Sequence, residues 1–354
     1  MVLRGAFVEA DTESALMWKW NKIAVIGAGS WGTALAILLA GKHLDVTLWG
    51  RDAAVMAAMQ KSRENAKYLP GHHFPDSLHA SSDYRSALKG VDCVVMVVPS
   101  HGYRQVYRQL LPHLPEGIAV VSAVKGVETS TTHTMTQVMQ EESQGKDLFF
   151  CVLSGPSFAE EVASGYPTAV TVACTDMAQA GAVQQLFSSN LFRVYSSSDV
   201  IGLEISGAMK NVIAIAAGIS DGLGYGLNTR AALITRGLAE ITRLGIALGA
   251  DARTFAGLGG LGDLVLTCTG NLSRNRTVGL KLGSGKSLDQ ALAEMTMVAE
   301  GVKTTESCYQ LARQTGVEMP ILEQTHAVLY QGKRCEDAVA DLFQRDLKEE
   351  LITS

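Results

Sequence analysis

Residues 23–36 read IAVIGAGSWGTALA. Four apolar residues run into Gly27, Gly29 and Gly32, and an apolar helical stretch follows at once. A glycine triplet of this spacing between a strand and a helix constrains a chain more than any other feature here. Gly27 permits the tight turn, Gly29 lets the backbone approach a pyrophosphate, and Gly32 lets helix and strand pack closely. The helix start then offers unpaired N–H groups to phosphate oxygens. Ser30 and Trp31 occupy the two positions between the second and third glycines. The alternative reading, a tight turn without a ligand, has to be judged against the rest of the chain.

That rest agrees with a dinucleotide-binding sheet. Short, nearly continuous apolar runs recur at 22–27, 44–49, 92–98, 118–122, 149–153 and 168–173. Runs of this kind suit a parallel sheet buried on both faces. Helical patterns at 30–41, 52–63 and 176–188 separate several of them, and such alternation implies a doubly wound α/β domain. After about residue 198 the strand signals stop. Segments 198–222, 228–249, 302–315 and 320–331 all read as helices, the last with Pro320 in its first turn. The expected organisation is an N-terminal extension over 1–20, a Rossmann-type doubly wound domain over 21–200, and an all-α-helical substrate domain over 201–354. Met17 offers a second candidate start.

Composition narrows the class. Of 354 residues, 47% are hydrophobic and 18% charged, with a net charge of −5. No Lys/Arg-rich run marks a nucleic-acid partner. No apolar run is read as a membrane span, and the first 20 residues lack a signal-peptide pattern. Six cysteines stand far apart in sequence, with no metal-ligand spacing, which fits a reducing cytoplasm and no metal.

In a doubly wound sheet, ligands sit beyond the carboxyl ends of the strands. The second strand run ends in LWGRD. An NAD-preferring site usually places an acid there; here Trp49 and Gly50 hold the place and Arg51 follows. Arg51 favours a 2′-phosphate and hence NADP(H), with NAD(H) use left open, while Asp52 can cap the next helix. Lys125 (in SAVKGVE), Gly155 and Ser157 (in LSGPSFAEE) fall past later strands and suit an anionic, oxygen-rich substrate. In the helical half, Lys210 lies inside the apolar, small-residue run SGAMKNVIAIAAG. A lysine there either snorkels to solvent or is buried with a task, its pKa lowered toward the range useful for proton transfer. Asp263 sits among glycines in GLGGLGDLVLTC, and Ser273, Arg274 and Asn275 come together in LSRNR, where Ser273 can cap a helix starting at Arg274.

These segments resemble one family. GAGSWGTALA, SGPSFAEEVASGYPTAV, GAMKNVIAIAAGISDGLGYGLNTRAALITRGLAE and GLGGLGDLVLTC with SRNR are similar to the bacterial NAD(P)-dependent glycerol-3-phosphate dehydrogenases over roughly residues 21 to 342. The resemblance implies reversible reduction of dihydroxyacetone phosphate to sn-glycerol 3-phosphate, supplying phospholipid synthesis, with the site between the two domains. It implies cofactor contacts at Ser30, Trp31, Arg51, Lys125, Ala159, Arg274, Val298 and Glu300. It implies substrate contacts at Lys125, Gly155, Ser157, Lys210, Asp263, Ser273, Arg274 and Asn275, with Lys210 as the proton-transfer group. Gly270 departs from the family pattern, where a polar residue is commoner. Two other readings remain: a β-hydroxyacid dehydrogenase or ketopantoate-type reductase of the same architecture, and a non-catalytic nucleotide sensor. The helices at 198–222 and 228–249 carry small apolar positions that suit either plain core or a homodimer interface.

Overall fold

The computed structural model describes residues 20–295, 299–347, 349 and 350. Val298, and all of the 1–20 extension except Trp20, therefore lie outside the described residues. Among the described residues ten strands occur: β1 (Lys22–Ile26), β2 (Asp45–Trp49), β3 (Glu64–Asn65), β4 (Leu69–His73), β5 (Leu78–Ser81), β6 (Cys93–Met96), β7 (Ile118–Ser122), β8 (Leu148–Ser154), β9 (Thr168–Cys174) and β10 (Phe192–Ser197). Eight form one sheet in the order β10-β9-β8-β7-β6-β1-β2-β5, and β3 pairs with β4 as a small antiparallel ribbon.

Both faces of the sheet are covered, which explains why its central strands read as continuous apolar runs. Ile23 and Val25 of β1 join one core cluster and Ala24 and Ile26 the other. Against one face pack α1 (Ser30–Ala40) and α2 (Ala53–Ser62); α3 (Tyr84–Leu88), α4 (Tyr103–Leu110) and α5 (Met135–Glu142) cover the other. The short α6 (Ala159–Ala163) and α7 (Met177–Phe187) complete this half. The sheet is not wholly parallel. Strand β9 runs antiparallel to β8 and β10 parallel to β9, so the run at 168–173 is a reversed strand. In that register Cys151 faces Cys174, both as free thiols.

After Ser197 the regular elements among the described residues are all helices: α8 (Val200–Gly222), α9 (Leu227–Ala247), α10 (Asp263–Thr269), α11 (Arg274–Gly283), α12 (Leu288–Ala293), α13 (Glu300–Thr315), α14 (Pro320–Tyr330) and α15 (Cys335–Phe343). Helix α8 is the axle. It is long and apolar enough to cross a membrane by length and composition, contrary to the expectation that no segment is, but it is mostly buried inside this chain. Its small-residue face is core: Gly218 and Gly222 meet Gly279 and Gly283 of α11 backbone to backbone. A Cβ on Gly218 would lie 2.1 Å from the Arg276 carbonyl oxygen, and one on Gly279 would lie 2.0 Å from that of Ile215. No side chain fits between these two helices. The start of α11 is thereby fixed relative to the middle of α8.

Candidate active site

The glycine turn has the geometry that its sequence predicts. Gly27 has φ +124°, and a Cβ there would lie 2.6 Å from the Val97 carbonyl oxygen. A Cβ on Gly32 would lie 1.9 Å from the Gly27 carbonyl oxygen, so the helix must cross the turn this closely. Gly29 differs: nothing lies within 4 Å of its would-be Cβ. It is the N-cap of α1 and offers no side chain to the free N–H groups of the first turn. An open cradle at an uncapped helix start fits a pyrophosphate. Trp31 adds a buried indole N–H with no partner among the described residues. These residues fit a dinucleotide. Ala159, which opens α6, is packed against the same core cluster as Trp31. Arg51 is exposed just past β2, and Asp52 is occupied as the N-cap of α2, its carboxylate accepting from the amides of Ala54 and Val55.

Across the crevice, residues far apart in sequence meet around one carboxylate. Asp263 is 1% exposed. Its Oδ2 accepts from Lys125 Nζ at 2.6 Å, and its Oδ1 accepts from Lys210 Nζ. Lys210 also donates to Thr267 Oγ1 at 2.8 Å, and Lys125 to the Gly155 carbonyl at 3.0 Å. Two cations thus share one buried anion, so this three-residue cluster carries a net positive charge of one. Burial lowers the pKa of Lys210 to about 8, with Lys125 adding repulsion and Asp263 opposing the change. Burial alone would raise Asp263, but Lys125 and Lys210 overcome it and hold the carboxyl below its usual range. The snorkelling alternative for Lys210 is set aside, since the residue is 7% exposed.

Local sequence explains the placement. Leu258–Gly262 makes a π-helical turn that hands Asp263 to the start of α10, a wide turn common at functional sites. Gly270 ends α10 where a Cβ would lie 2.5 Å from the Phe158 ring, so the departure from the family pattern has a steric cause. Gly155 has φ +145°, and a Cβ there would meet the Val170 backbone at 2.9 Å. Ser157 turns back to donate to the Gly155 carbonyl. Ser273 caps α11, accepting from the Arg276 amide at 3.3 Å, while its own amide is donated to the Gly270 carbonyl. The N–H groups of Arg274 and Asn275, the first two of the helix, have no intrahelical acceptor and remain for an anion. Arg274 is exposed beside them. Asn275 is held from both sides: its side-chain amide donates to Asn211 Oδ1 at 2.9 Å, and its oxygen accepts from the Gly301 amide. Glu300, at the start of α13, feels Arg274, Lys125 and Lys210, which oppose the rise that burial imposes on its carboxyl.

Two residues of this network escaped the sequence reading. Thr267 lies one helical turn after Asp263, the i to i+4 spacing that puts both on one face. Asn211 adjoins Lys210 and reaches the Lys125 carbonyl at 3.3 Å. The first could have been found from spacing; the second had no signal beyond adjacency.

Comparison with known proteins agrees with this geometry. The family description "NAD-dependent glycerol-3-phosphate dehydrogenase N-terminus" matches residues 22–180, and its C-terminal counterpart matches 199–340. A glycerol-3-phosphate dehydrogenase (NAD(P)+) of Desulfotalea psychrophila is 57% identical over 332 residues, covering 93% of this chain and 98% of that protein. One from Geobacter sulfurreducens is 57% identical over 331 residues, covering 93% and 99%. The crystal structure of glycerol-3-phosphate dehydrogenase from Coxiella burnetii superposes with a TM-score of 0.89 at 40% identity, covering 92% of this chain and 99% of that one. This chain belongs to the NAD-dependent glycerol-3-phosphate dehydrogenase family.

Proposed function

We propose that this chain reduces dihydroxyacetone phosphate to sn-glycerol 3-phosphate with NAD(P)H, reversibly, in the crevice between the sheet and the helical half. The observation that carries the reading is the Asp263 carboxylate held between the Lys125 and Lys210 ammonium groups, beside the open start of α11. The division into a dinucleotide-binding part over 21–200 and a substrate part over 201–354 belongs to the same reading.

With a dinucleotide held by its pyrophosphate at the Gly27–Gly29 turn and the start of α1, its nicotinamide would supply or accept the hydride. As the ketone becomes an alcohol, negative charge grows on its oxygen. Lys210, an ammonium at neutral pH with a pKa near 8, donates a proton there, and in the reverse direction takes one. Lys125 adds a second positive charge at the developing oxyanion. Asp263 keeps the two cations together and takes no proton itself. At the far end of the substrate, Arg274 and the first amides of α11 bind the phosphate, with Ser273 and Asn275 holding that helix start in place. A charged anchor remote from the carbonyl fixes the reacting end and contributes to rate as well as affinity. Gly155 and Ser157 line the substrate side next to Lys125. Ser30, Trp31, Arg51, Ala159, Val298 and Glu300 are assigned to the cofactor.

The direct test is oxidation of NADPH and NADH, followed at the nicotinamide absorbance, with dihydroxyacetone phosphate and with dihydroxyacetone. Turnover confined to the phosphorylated ketone supports the anchor at Arg274. Turnover of a keto acid instead would keep the fold and move the substrate to the ketopantoate-reductase class. A role in phospholipid supply, a cytoplasmic site of action and a homodimer are parts of this proposal. For the dimer, the exposed side of α9, with Leu227 and Ile246, offers apolar surface, and light scattering of the purified chain decides it.

A further inference from the structure

The end of β2 is built against an acid. Trp49 is stacked on Tyr84 with ring centroids 4.2 Å apart. A side chain at Gly50 would have to displace the Met56 thioether, since a Cβ there would lie 2.4 Å from Met56 Sδ and 3.1 Å from the Ala28 Cβ. Asp52 turns away, its Oδ1 accepting from the Ala54 and Val55 amides at 3.0 Å each. No carboxylate is free here to hold a ribose diol, the usual device of an NAD site.

Basic side chains gather at the same place instead. β6 and β2 flank β1 in the sheet, so the turns after them stand on either side of the Gly27–Gly29 turn. Arg51 follows β2. His101 lies in the turn after β6, Ser100–Gly102. The first turn of α13 packs on that turn: a Cβ on Gly126 would lie 2.7 Å from Ser100 and 3.7 Å from Thr304 Oγ1. Lys303, next to Thr304, is thereby brought near His101. Arg51, His101 and Lys303 are all exposed, and none makes an ion pair with an acid among the described residues. Burial, Lys303 and Arg51 all lower the pKa of His101, a sign that positive charge here is uncompensated.

We propose that Arg51, His101 and Lys303 form one cradle for the 2′-phosphate of NADP(H), so that cofactor preference is set jointly by the end of β2, the turn after β6 and the first turn of α13. This rests on the dehydrogenase reading above and assigns two residues, His101 and Lys303, that neither the glycine motif nor the family resemblance singles out. A phosphate dianion satisfies the Arg51 and Lys303 cations, which otherwise repel each other, and its charge favours the protonated, donating form of His101 that they oppose. The helical half then takes part in choosing the cofactor, because Lys303 belongs to it.

Binding, rather than turnover, tests this. Titration calorimetry of the full chain compares 2′,5′-ADP with 5′-AMP, and NADPH with NADH. The wild-type chain is expected to bind 2′,5′-ADP and NADPH more tightly than their partners. Lys303→Gln should weaken NADPH and 2′,5′-ADP roughly 10-fold, as expected for losing one charged hydrogen bond, and leave NADH and 5′-AMP unchanged. His101→Asn should do the same to a smaller extent, and Lys303→Arg should keep the discrimination. Equal loss for NADPH and NADH in Lys303→Gln, or no loss for either, overturns the cradle. So does wild-type binding of 2′,5′-ADP no tighter than 5′-AMP. Failure of the dehydrogenase reading looks different, as dinucleotide binding without turnover of any phosphorylated ketone.

Discussion

Asp263 in the crevice and Glu204 and Glu240 at two joints between elements are buried carboxylates that the molecule treats in opposite ways. In the crevice, Asp263 meets two ammonium groups and is held ionised below its usual range. At the joints between elements, Glu204 and Glu240 are equally buried but meet no cation at bonding distance. Glu204 of α8 accepts from the amide and hydroxyl of Thr136 at the start of α5. Glu240 of α9 accepts from the Ile321 and Leu322 amides at the start of α14. Burial raises the pKa of both, that of Glu240 to about 7. A helix start compensates a carboxylate only partly, whereas two ammonium groups overcompensate it. The joints use their acids to hold helices; the crevice keeps a surplus of positive charge, which is what a phosphorylated ketone requires.

The largest expected effect comes from removing one of the crevice cations. Lys210→Met should lower kcat by roughly 10²–10⁴-fold, the usual contribution of a positioned proton donor, while NADPH binding survives. Calorimetric titration alongside steady-state rates separates the two. Loss of cofactor binding together with activity would make Lys210 structural and erase the contrast between crevice and joints.

Asp263→Asn strikes the same cluster from the other side. Two ammonium groups are left facing each other, so the pKa of Lys210 should fall further and kcat should drop, by about 10²-fold if one oriented charge is worth what it is in comparable sites. The informative readout is the pH profile. For the wild-type chain, ketone reduction should decline as pH rises through about 8, because Lys210, the proposed proton donor, loses its proton over that interval. Alcohol oxidation should rise over the same interval. In Asp263→Asn both limbs should move to lower pH. Unmoved limbs would show that another group sets the profile.

Glu204→Leu tests a joint. It leaves the Thr136 amide and hydroxyl without their acceptor and should cost about 1–3 kcal/mol of stability, read by chemical denaturation. Activity at low temperature should change little, because Glu204 touches no group of the crevice. A large fall in kcat with stability intact would mean that the α8–α5 joint positions Lys210.

How much of this was legible beforehand follows the same division. The glycine turn could be read because its chemistry is mostly local: strand, turn and helix are contiguous, and the close approaches that require Gly27 and Gly32 are to the adjacent strand and to the turn itself, while the Asn65 amide that donates to the Ala28 carbonyl gave no signal. Helices α8, α9, α13 and α14 could be read within a few residues from their apolar period and their Asp, Pro and Gly ends. Strand direction could not, since β9 has the same Val-rich composition whichever way it runs. β5 and β10, the two edges of the main sheet, gave no continuous apolar run because part of each strand is exposed, and the small β3–β4 ribbon gave none either. The Asp263 cluster joins residues 53 and 138 positions apart, and no periodicity encodes such a meeting. Only the family resemblance put Lys125, Lys210 and Asp263 together, and it was silent on Thr267, Asn211, Glu204 and Glu240.

Glu240 gives the smallest expected effect and the sharpest sign. Its folded pKa of about 7 lies above the unfolded value near 4.5, with burial as the main cause; the amides of Ile321 and Leu322 and the nearby Arg243 oppose it, and Glu323 adds to it. Between these values the folded chain keeps a proton that the unfolded chain releases, so this residue's contribution to stability falls as pH rises from about 4.5 to about 7 and is constant above. Glu240→Gln keeps an oxygen for the α14 amides and cannot ionise. The variant and the wild-type chain should therefore melt together near pH 5, and the variant should melt higher at pH 8, by roughly 2–4 °C per kcal/mol recovered. If the wild-type chain is instead the more stable at pH 8, the ionised carboxylate is worth more to the helix start than its burial costs. The joint would then resemble the crevice in keeping its acid for its charge.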